Sequence, residues 1–179
     1  MTTTSAGVAT ATAVPRTRRP LRVLHVITRM IVGGAQENTM LSCALMDPER
    51  VMSTLLTGPE TGVEGELHSE SRARGIAMVI EPSLVRRLSP WHDLRATVRL
   101  WRTIRDGQYD VVHTHSSKAG IVGRIAAWLA GVPVIVHTVH GWGFHPGQTA
   151  AKRSLFVALE KMVTPLTTQL VAVSRANAA

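Results

Sequence analysis

The stretch Tyr109-Asp-Val-Val-His-Thr-His-Ser-Ser-Lys-Ala-Gly120, followed by 121–131 and then by Val132-Pro-Val-Ile-Val-His-Thr-Val-His-Gly141, predicts the fold most directly. It reads as strand, polar turn, helix, strand and polar turn, and both strands end in histidine. In an open parallel sheet, ligands bind just beyond the carboxyl ends of the strands. Polar residues at two successive strand ends therefore predict one shared ligand-binding cleft.

The alternation of strand and helix continues on both sides of this stretch. Four further apolar runs predict strands, at 21–28, 51–57, 76–80 and 169–174. Short connections marked by glycine or proline separate them from helical patterns, as in a parallel sheet with helices on both faces. Because crossovers between parallel strands are right-handed, we predict an α/β fold with a doubly wound parallel sheet, a Rossmann-like three-layer sandwich.

One helix is marked clearly at its start. Ser89 and Pro90 are typical of a cap and a first helical residue. Leu94, Val98 and Trp101 follow at the spacing of a single helix face, so the pattern predicts that this face is buried.

Length and composition predict one globular domain preceded by a tail. The chain has 179 residues, 45% of them hydrophobic, and no apolar run of the roughly 18 residues that a membrane span needs. Met1 to Pro20 is rich in Thr and Ala and has no acidic residue, so we expect 1–20 to be a disordered tail, with a transit peptide left open. Residues 21–179 form the predicted domain, in which the lone Cys43 is expected to be an inert packing residue.

The formal net charge of +8 suggests an anionic partner. Nucleic acid is not expected, because aromatic residues make up only 4% of the chain and do not interleave with the basic ones. Arg95, Arg99 and Arg102 recur on one helical face. This stripe favours a solvated surface, with contact to anionic lipid heads as the alternative.

Gly33 and Gly34 follow the first strand and precede a helix. Glycines there allow a tight turn and a close approach of a ligand, and free amides at a helix start attract an anion. The spacing is neither a dinucleotide fingerprint nor a phosphate loop. An ordinary turn remains the alternative.

His113 and His115 are two apart on a strand and so share one face. His137, His140 and His145 could add ligands to a metal pair, but no cysteine or acidic residue completes a known spacing. We therefore predict no metal, and structural or hydrogen-bonding roles for these histidines.

Two strand ends carry the strongest candidate residues. His140 and Gly141 stand where the fifth strand opens into the cleft, and an imidazole there can donate a hydrogen bond or accept a proton. A structural role at the strand end is equally open. Ser116 or Ser117 can cap the next helix, and Lys118 would strengthen an anion site or lie solvated.

The combination of motifs closely resembles the amino-terminal domain of family-4 glycosyltransferases, retaining enzymes of the two-domain GT-B type. The resemblance covers nearly all of 21–179. The matching motifs, in the family's order, are Gly33-Gly-Ala-Gln-Glu37, His113-Thr-His-Ser-Ser-Lys-Ala-Gly120, Ala130-Gly-Val-Pro133, His137-Thr-Val-His-Gly141 and Val171-Ala-Val-Ser174.

The resemblance implies roles for individual residues. Gly33 and Gly34 would line the catalytic loop near the donor phosphates, and the catalytic candidate His140, followed by Gly141, would contact the transferred sugar. The acceptor side would be formed by His115, Ser116, Lys118 and Arg153.

The resemblance also implies a function, substrates, partners and a location for the chain. The expected function is the acceptor side of a transferase that moves a hexosyl group from a nucleotide sugar, a co-substrate and not a cofactor, to a glycan or lipid-linked acceptor in polysaccharide or glycolipid biosynthesis. The carboxy-terminal donor domain is expected to be absent, so catalysis by this chain alone is not expected and a complementary chain or a longer protein would supply it. We expect a cytoplasmic protein and leave open peripheral contact with the inner face of the membrane. The alternatives are a noncatalytic module for a phosphorylated lipid or sugar and, more remotely, a metal enzyme that uses the histidines.

Overall fold

The computed structural model describes residues 19–59, 65–143 and 147–178. Six strands run parallel in one sheet: β1 (Leu21–Ile27), β2 (Val51–Thr57), β3 (Ala77–Ile80), β4 (Val111–His115), β5 (Val134–Val139) and β6 (Gln169–Ala172). Their order across the sheet is β3-β2-β1-β4-β5-β6. The predicted doubly wound α/β architecture is confirmed, and every predicted strand forms.

Helices occupy the connections between the strands. They are α1 (Gly34–Ala44), α2 (His68–Ala73), α3 (Pro90–Gly107), α4 (Ser117–Leu129), α5 (Ala150–Val163), a short 3-10 turn (Thr164–Leu166) and α6 (Arg175–Ala178). None of the helices within the described ranges is long and apolar enough to cross a membrane.

Alternate residues of β1 serve two separate cores. Leu24 and Val26 are fully buried in a cluster with side chains of α3 and α4. Ile27 points to the other face and joins a second cluster with Met40 and Cys43 of α1. This alternation is what a strand covered on both faces requires. Burial of Cys43 raises its pKa to about 12, which agrees with the predicted packing role.

The predicted buried face of α3 is wrong. Leu94 is 57% exposed and Val98 is 38% exposed, and only Trp101 packs partly against the core. The buried face instead carries Ala96, Leu100 and Ile104. Leu100 and Ile104 join the core cluster with side chains of α4, so the face with Leu94 and Val98 is turned outward.

Helix α4 lies close to the sheet because it has glycines where side chains would collide. A Cβ on Gly120 would stand 2.5 Å from Cε1 of His137, and one on Gly123 would stand 2.8 Å from Cγ2 of Thr114. His137 therefore faces α4, and its Nδ1 lies 2.9 Å from Oγ1 of Thr114. This places His137 on the opposite sheet face from His113.

The predicted tail lies outside the described residues except for its last two. Arg19 forms a two-point ion pair with Asp110, with both N···O distances 2.7 Å. The pair raises the pKa of Arg19 and lowers that of Asp110, which also accepts a hydrogen bond from the Arg22 amide. These contacts therefore link the start of β1 to Asp110, the residue just before β4.

Candidate functional site

A cavity opens where the sheet order reverses. Strands β1 and β4 are neighbours in the sheet. The chain continues from β1 to β2 and β3 on one side, and from β4 to β5 and β6 on the other side. Such a switch point is the usual place for a ligand in an open α/β sheet. The cavity has a volume of about 880 Å³ and reaches from the ends of these strands to the segment before α3 and to α5.

Five basic residues line the cavity, and no Asp or Glu of the described chain is among the lining residues. They are Arg29 after β1, Arg86 and Arg87 before α3, Lys118 on α4 and Lys152 on α5. Such a lining attracts an anionic ligand. Of these five, only Lys118 was predicted from the sequence as a site residue, because only the fold brings the other four to one place.

Lys118 lies in the cavity wall, but its charge is already engaged. The side chain is 8% exposed, and its ammonium group pairs with the Asp93 carboxylate and donates to the Arg87 carbonyl oxygen. Lys118 thus connects α4 to the start of α3. A solvated lysine, one of the two expectations, is not what the structure shows, and the other basic residues supply the net positive charge.

Ser116 also lines the cavity, and its backbone conformation is unusual. Its φ of 62° and ψ of 153° lie in a region that only glycine adopts easily. The hydroxyl lies 2.9 Å from Oγ1 of Thr28, which in turn accepts a hydrogen bond of 3.1 Å from the Ala119 amide. The Thr28 side chain, just after β1, therefore caps the start of α4. Ser116 or Ser117 was expected to cap this helix; Ser116 occupies the cap position, but its side chain makes no capping bond.

The other predicted site residues lie around the cavity without lining it. Gly33 precedes α1, and Gly34 opens that helix with free space where a Cβ would stand. Gly141 is exposed after β5. Arg153 lines a separate depression of about 560 Å³ along α5. The structure thus brings Ser116 and Lys118 together and sets Arg153 apart from them.

Four imidazole rings form a cluster beneath the strand ends. His25 of β1 stands beside His113 of β4 in the sheet register, with ring centroids 5.1 Å apart. The His115 ring lies next to both His25 and His140. Its centroid is 5.5 Å from the centroid of His25 and 5.4 Å from that of His140. The sequence singled out three of these rings but not His25, whose partners are some 90 positions away in the chain.

Hydrogen bonds connect the rings in order. Nδ1 of His25 lies 3.2 Å from Nε2 of His115, and Nδ1 of His115 lies 3.1 Å from Nε2 of His140. Nε2 of His113 lies 2.7 Å from Oγ1 of Thr138. The network ends at His140, which is half-buried at the carboxyl end of β5.

Burial keeps these rings neutral. It lowers the pKa of His25 to about 3 and that of His113 to about 4, and in each case a neighbouring histidine adds to the effect. The pKa of His115 is lowered well below its usual value, and that of His140 is lowered as well, again by burial. At neutral pH each ring therefore carries a single proton and serves as one donor and one acceptor.

The cluster also bears on the question of a metal. One ring nitrogen from each of His25, His113 and His115 lies within 4.8 Å of the others, so these three could hold an ion. His25 was not among the ligands considered from sequence. Of those that were, His137 faces α4 and His145 lies outside the described residues. Both nitrogens of His115 are already used in hydrogen bonds to other imidazoles. The absence of a metal stays a prediction.

Comparison with known proteins agrees with this geometry. A family model described as "Glycosyl transferase 4-like domain" matches residues 33–179. The chain is 32% identical over 155 residues to the UDP-Gal:alpha-D-GlcNAc-diphosphoundecaprenol alpha-1,3-galactosyltransferase of Escherichia coli. The match covers 87% of this chain and 39% of the relative, so the chain spans about two fifths of that protein's length.

Solved structures share the fold at low identity. MurG of Acinetobacter baumannii aligns with a TM-score of 0.62 at 15% identity, over 88% of this chain and 42% of that one. A UDP-N-acetylglucosamine 2-epimerase aligns with a TM-score of 0.61 at 18% identity, over 89% and 42%. These likenesses support the Rossmann-like half of a GT-B fold, and the family match covers most of the chain. The chain therefore belongs to the glycosyl transferase 4-like family.

Proposed function

We propose that this chain forms the acceptor side of a glycosyltransferase that moves a hexosyl group from a nucleotide sugar to a lipid-diphosphate-linked glycan. In this proposal residues 21–179 are the acceptor-side domain, residues 1–20 are a tail outside it, and other residues supply the half that holds the nucleotide sugar. The noncatalytic alternative is not favoured, because the family and the E. coli relative are transferases.

The observation that carries the proposal is the basic cavity at the switch point. After Lys118 is neutralised by Asp93, the cationic side chains of Arg86, Arg87 and Lys152 still line it, and Arg29 is a further basic residue of the lining. A diphosphate matches this charge, and guanidinium groups bind phosphate oxygens by two parallel hydrogen bonds. The name of the E. coli relative records an acceptor of this chemical class.

The acceptor site is tested by equilibrium binding to the chain itself. We expect N-acetylglucosaminyl diphosphate on a short, water-soluble prenyl chain to saturate in isothermal titration calorimetry, whereas UDP-galactose does not bind at the same concentrations. Replacing Arg86 and Arg87 together with glutamine should weaken acceptor binding at least tenfold, since a hydrogen bond to a charged group contributes about 1.5–3 kcal/mol.

The matched control is Arg72→Gln, which removes a basic residue that does not line the cavity. It should leave the acceptor affinity unchanged. Binding of UDP-galactose without binding of the acceptor analogue would place the donor on this domain and contradict the proposal.

A lipid-linked acceptor requires the domain to reach a membrane, and α3 offers a surface for it. Trp91 is 79% exposed and forms an outward apolar face with Leu94 and Val98. The exposed Arg95 and Arg102 lie on the same side of the helix. An apolar stripe flanked by arginine is typical of a helix that lies in the interface of an anionic membrane. As part of the proposal, this face holds the protein at the inner surface of the membrane, and its first residue, Trp91, is four positions after Arg87 of the cavity.

Vesicle binding tests the membrane surface. We expect the chain to sediment with phosphatidylglycerol vesicles at low salt and much less with phosphatidylcholine vesicles. Leu94→Ser should weaken binding about tenfold, because burying a leucine side chain contributes about 1.5–3 kcal/mol. The control is Leu45→Ser, which replaces a leucine that directly follows α1 and is 76% exposed. It should have no effect on vesicle binding. Equal binding by the Leu94 and Leu45 variants would remove α3 from the contact.

A further inference from the structure

One end of the histidine series has a ring nitrogen with no hydrogen-bond partner in the part of the chain that the structure describes. His25 is 2% exposed, and its Nε2 is buried without a hydrogen-bond partner among the described residues. Its Nδ1 faces Nε2 of His115 at 3.2 Å. The other end of the series, His140, is half-buried just beyond the end of β5. The series therefore runs from a sealed interior position to a candidate substrate contact.

A neutral imidazole carries its proton on one nitrogen only, so the direction of one hydrogen bond fixes the direction of the next. In one arrangement His25 donates from Nδ1 to His115, and His115 donates from Nδ1 to His140. In the reverse arrangement His140 donates from Nε2 to His115, and His115 donates from Nε2 to His25. The second arrangement forces the proton of His25 onto its Nε2.

The two arrangements differ in what they leave buried. The first leaves a bare lone pair on Nε2 of His25, whereas the second leaves an N–H donor without an acceptor. Orphaned buried N–H groups are the rarer case in folded proteins. Burial also keeps every ring of the series neutral, so neither arrangement is relieved by an added proton. The sealed end at His25 therefore selects the first arrangement.

We propose that His25 and His115 are positioning residues that hold His140 in the tautomer with its proton on Nδ1. His140 then presents an N–H donor, and not a base, to an oxygen atom of the bound substrate. This inference deepens the proposed function and rests on it only for the identity of that oxygen. The donor arrangement itself is a property of the folded chain.

Nitrogen-15 spectroscopy of histidine-labelled protein at neutral pH reads the tautomers directly. We expect His140 to show a protonated Nδ1 and a bare Nε2, and His25 and His115 to show the same pattern. His25→Leu removes the first donor, so His140 should change to a mixture of tautomers. His25→Asn keeps an N–H close to the position of Nδ1 and should restore the single tautomer.

The control is His92→Asn, an exposed position on α3 outside the series. A wild-type His140 with its proton on Nε2 would overturn the inference, and so would a single unchanged tautomer in His25→Leu. Addition of one equivalent of Zn²⁺ should leave the spectra unchanged. Loss of the His25 and His115 N–H signals on adding Zn²⁺ would assign the cluster to a metal instead. Because these spectra require no sugar transfer, they test the inference independently of the proposed function.

Discussion

Glu160→Ala is expected to lower the free energy of unfolding by about 3–5 kcal/mol, as breaking a buried ion pair typically does. Arg124 on α4 is fully buried, and its Nη2 lies 2.6 Å from Oε2 of Glu160 on α5. Its Nε also donates to the Gly120 carbonyl oxygen at 2.8 Å. Removing the carboxylate leaves a guanidinium group in the interior with its main countercharge gone.

Urea unfolding, followed by circular dichroism, measures this loss. The matched control is Glu70→Ala, which breaks the exposed ion pair of Glu70 with Arg74 on α2 and should cost about 0.3–0.5 kcal/mol. The double variant Arg124→Met with Glu160→Leu should regain most of the lost stability, because it leaves no buried charge. A Glu160 variant as stable as the Glu70 variant would mean that the pair does not hold α5 to α4.

His140→Ala is expected to reduce sugar transfer by about 10²–10³-fold, the usual effect of removing one preorganised donor at a reacting centre. The assay uses a chimera in which residues 1–179 are joined to the part of the E. coli galactosyltransferase that follows its matched region. His140→Asn keeps an N–H near the Nδ1 position and should retain more activity than the alanine variant.

The control in the same chimera is His92→Ala, which removes an exposed imidazole outside the site. Acceptor binding should be nearly unchanged in His140→Ala, so that the loss appears in kcat. Full transfer by His140→Ala would remove this residue from the chemistry and leave it a structural role at the end of β5.

The central strands were predictable because burial on both faces gives a nearly continuous apolar run in the sequence. The apolar run predicted at 51–57 coincides with β2, and the other strands begin or end within a few residues of their predictions. A strand inside a doubly wound sheet is covered on both faces, so its sequence is mostly apolar and its limits can be read from local sequence.

Helix orientation was harder to predict, and α3 shows why. It has two apolar stripes, one with Leu94 and Val98 and one with Leu100 and Ile104, and both fit a helical period. Only packing against α4 decides between them, and it buries the second stripe together with Ala96. The exposed stripe then became a candidate membrane surface, which the buried-face prediction had concealed.

The site was predictable in position but not in electrostatics. The strand ends at Ser116 and His140 were recognised because polar residues there break an apolar run. The neutralisation of Lys118 by Asp93 and the entry of His25 into the cluster depend on contacts between distant parts of the chain. Local sequence holds no information about which charges meet.

The central claim is that this domain presents an acceptor to a donor half, and transfer by the wild-type chimera tests it most directly. The measurement is formation of a galactosyl lipid from UDP-galactose and the N-acetylglucosaminyl diphosphate analogue. The account predicts transfer that requires both halves and falls when Arg86 and Arg87 are replaced together. A folded chimera that binds both substrates and forms no product would contradict the account and favour a noncatalytic binding module.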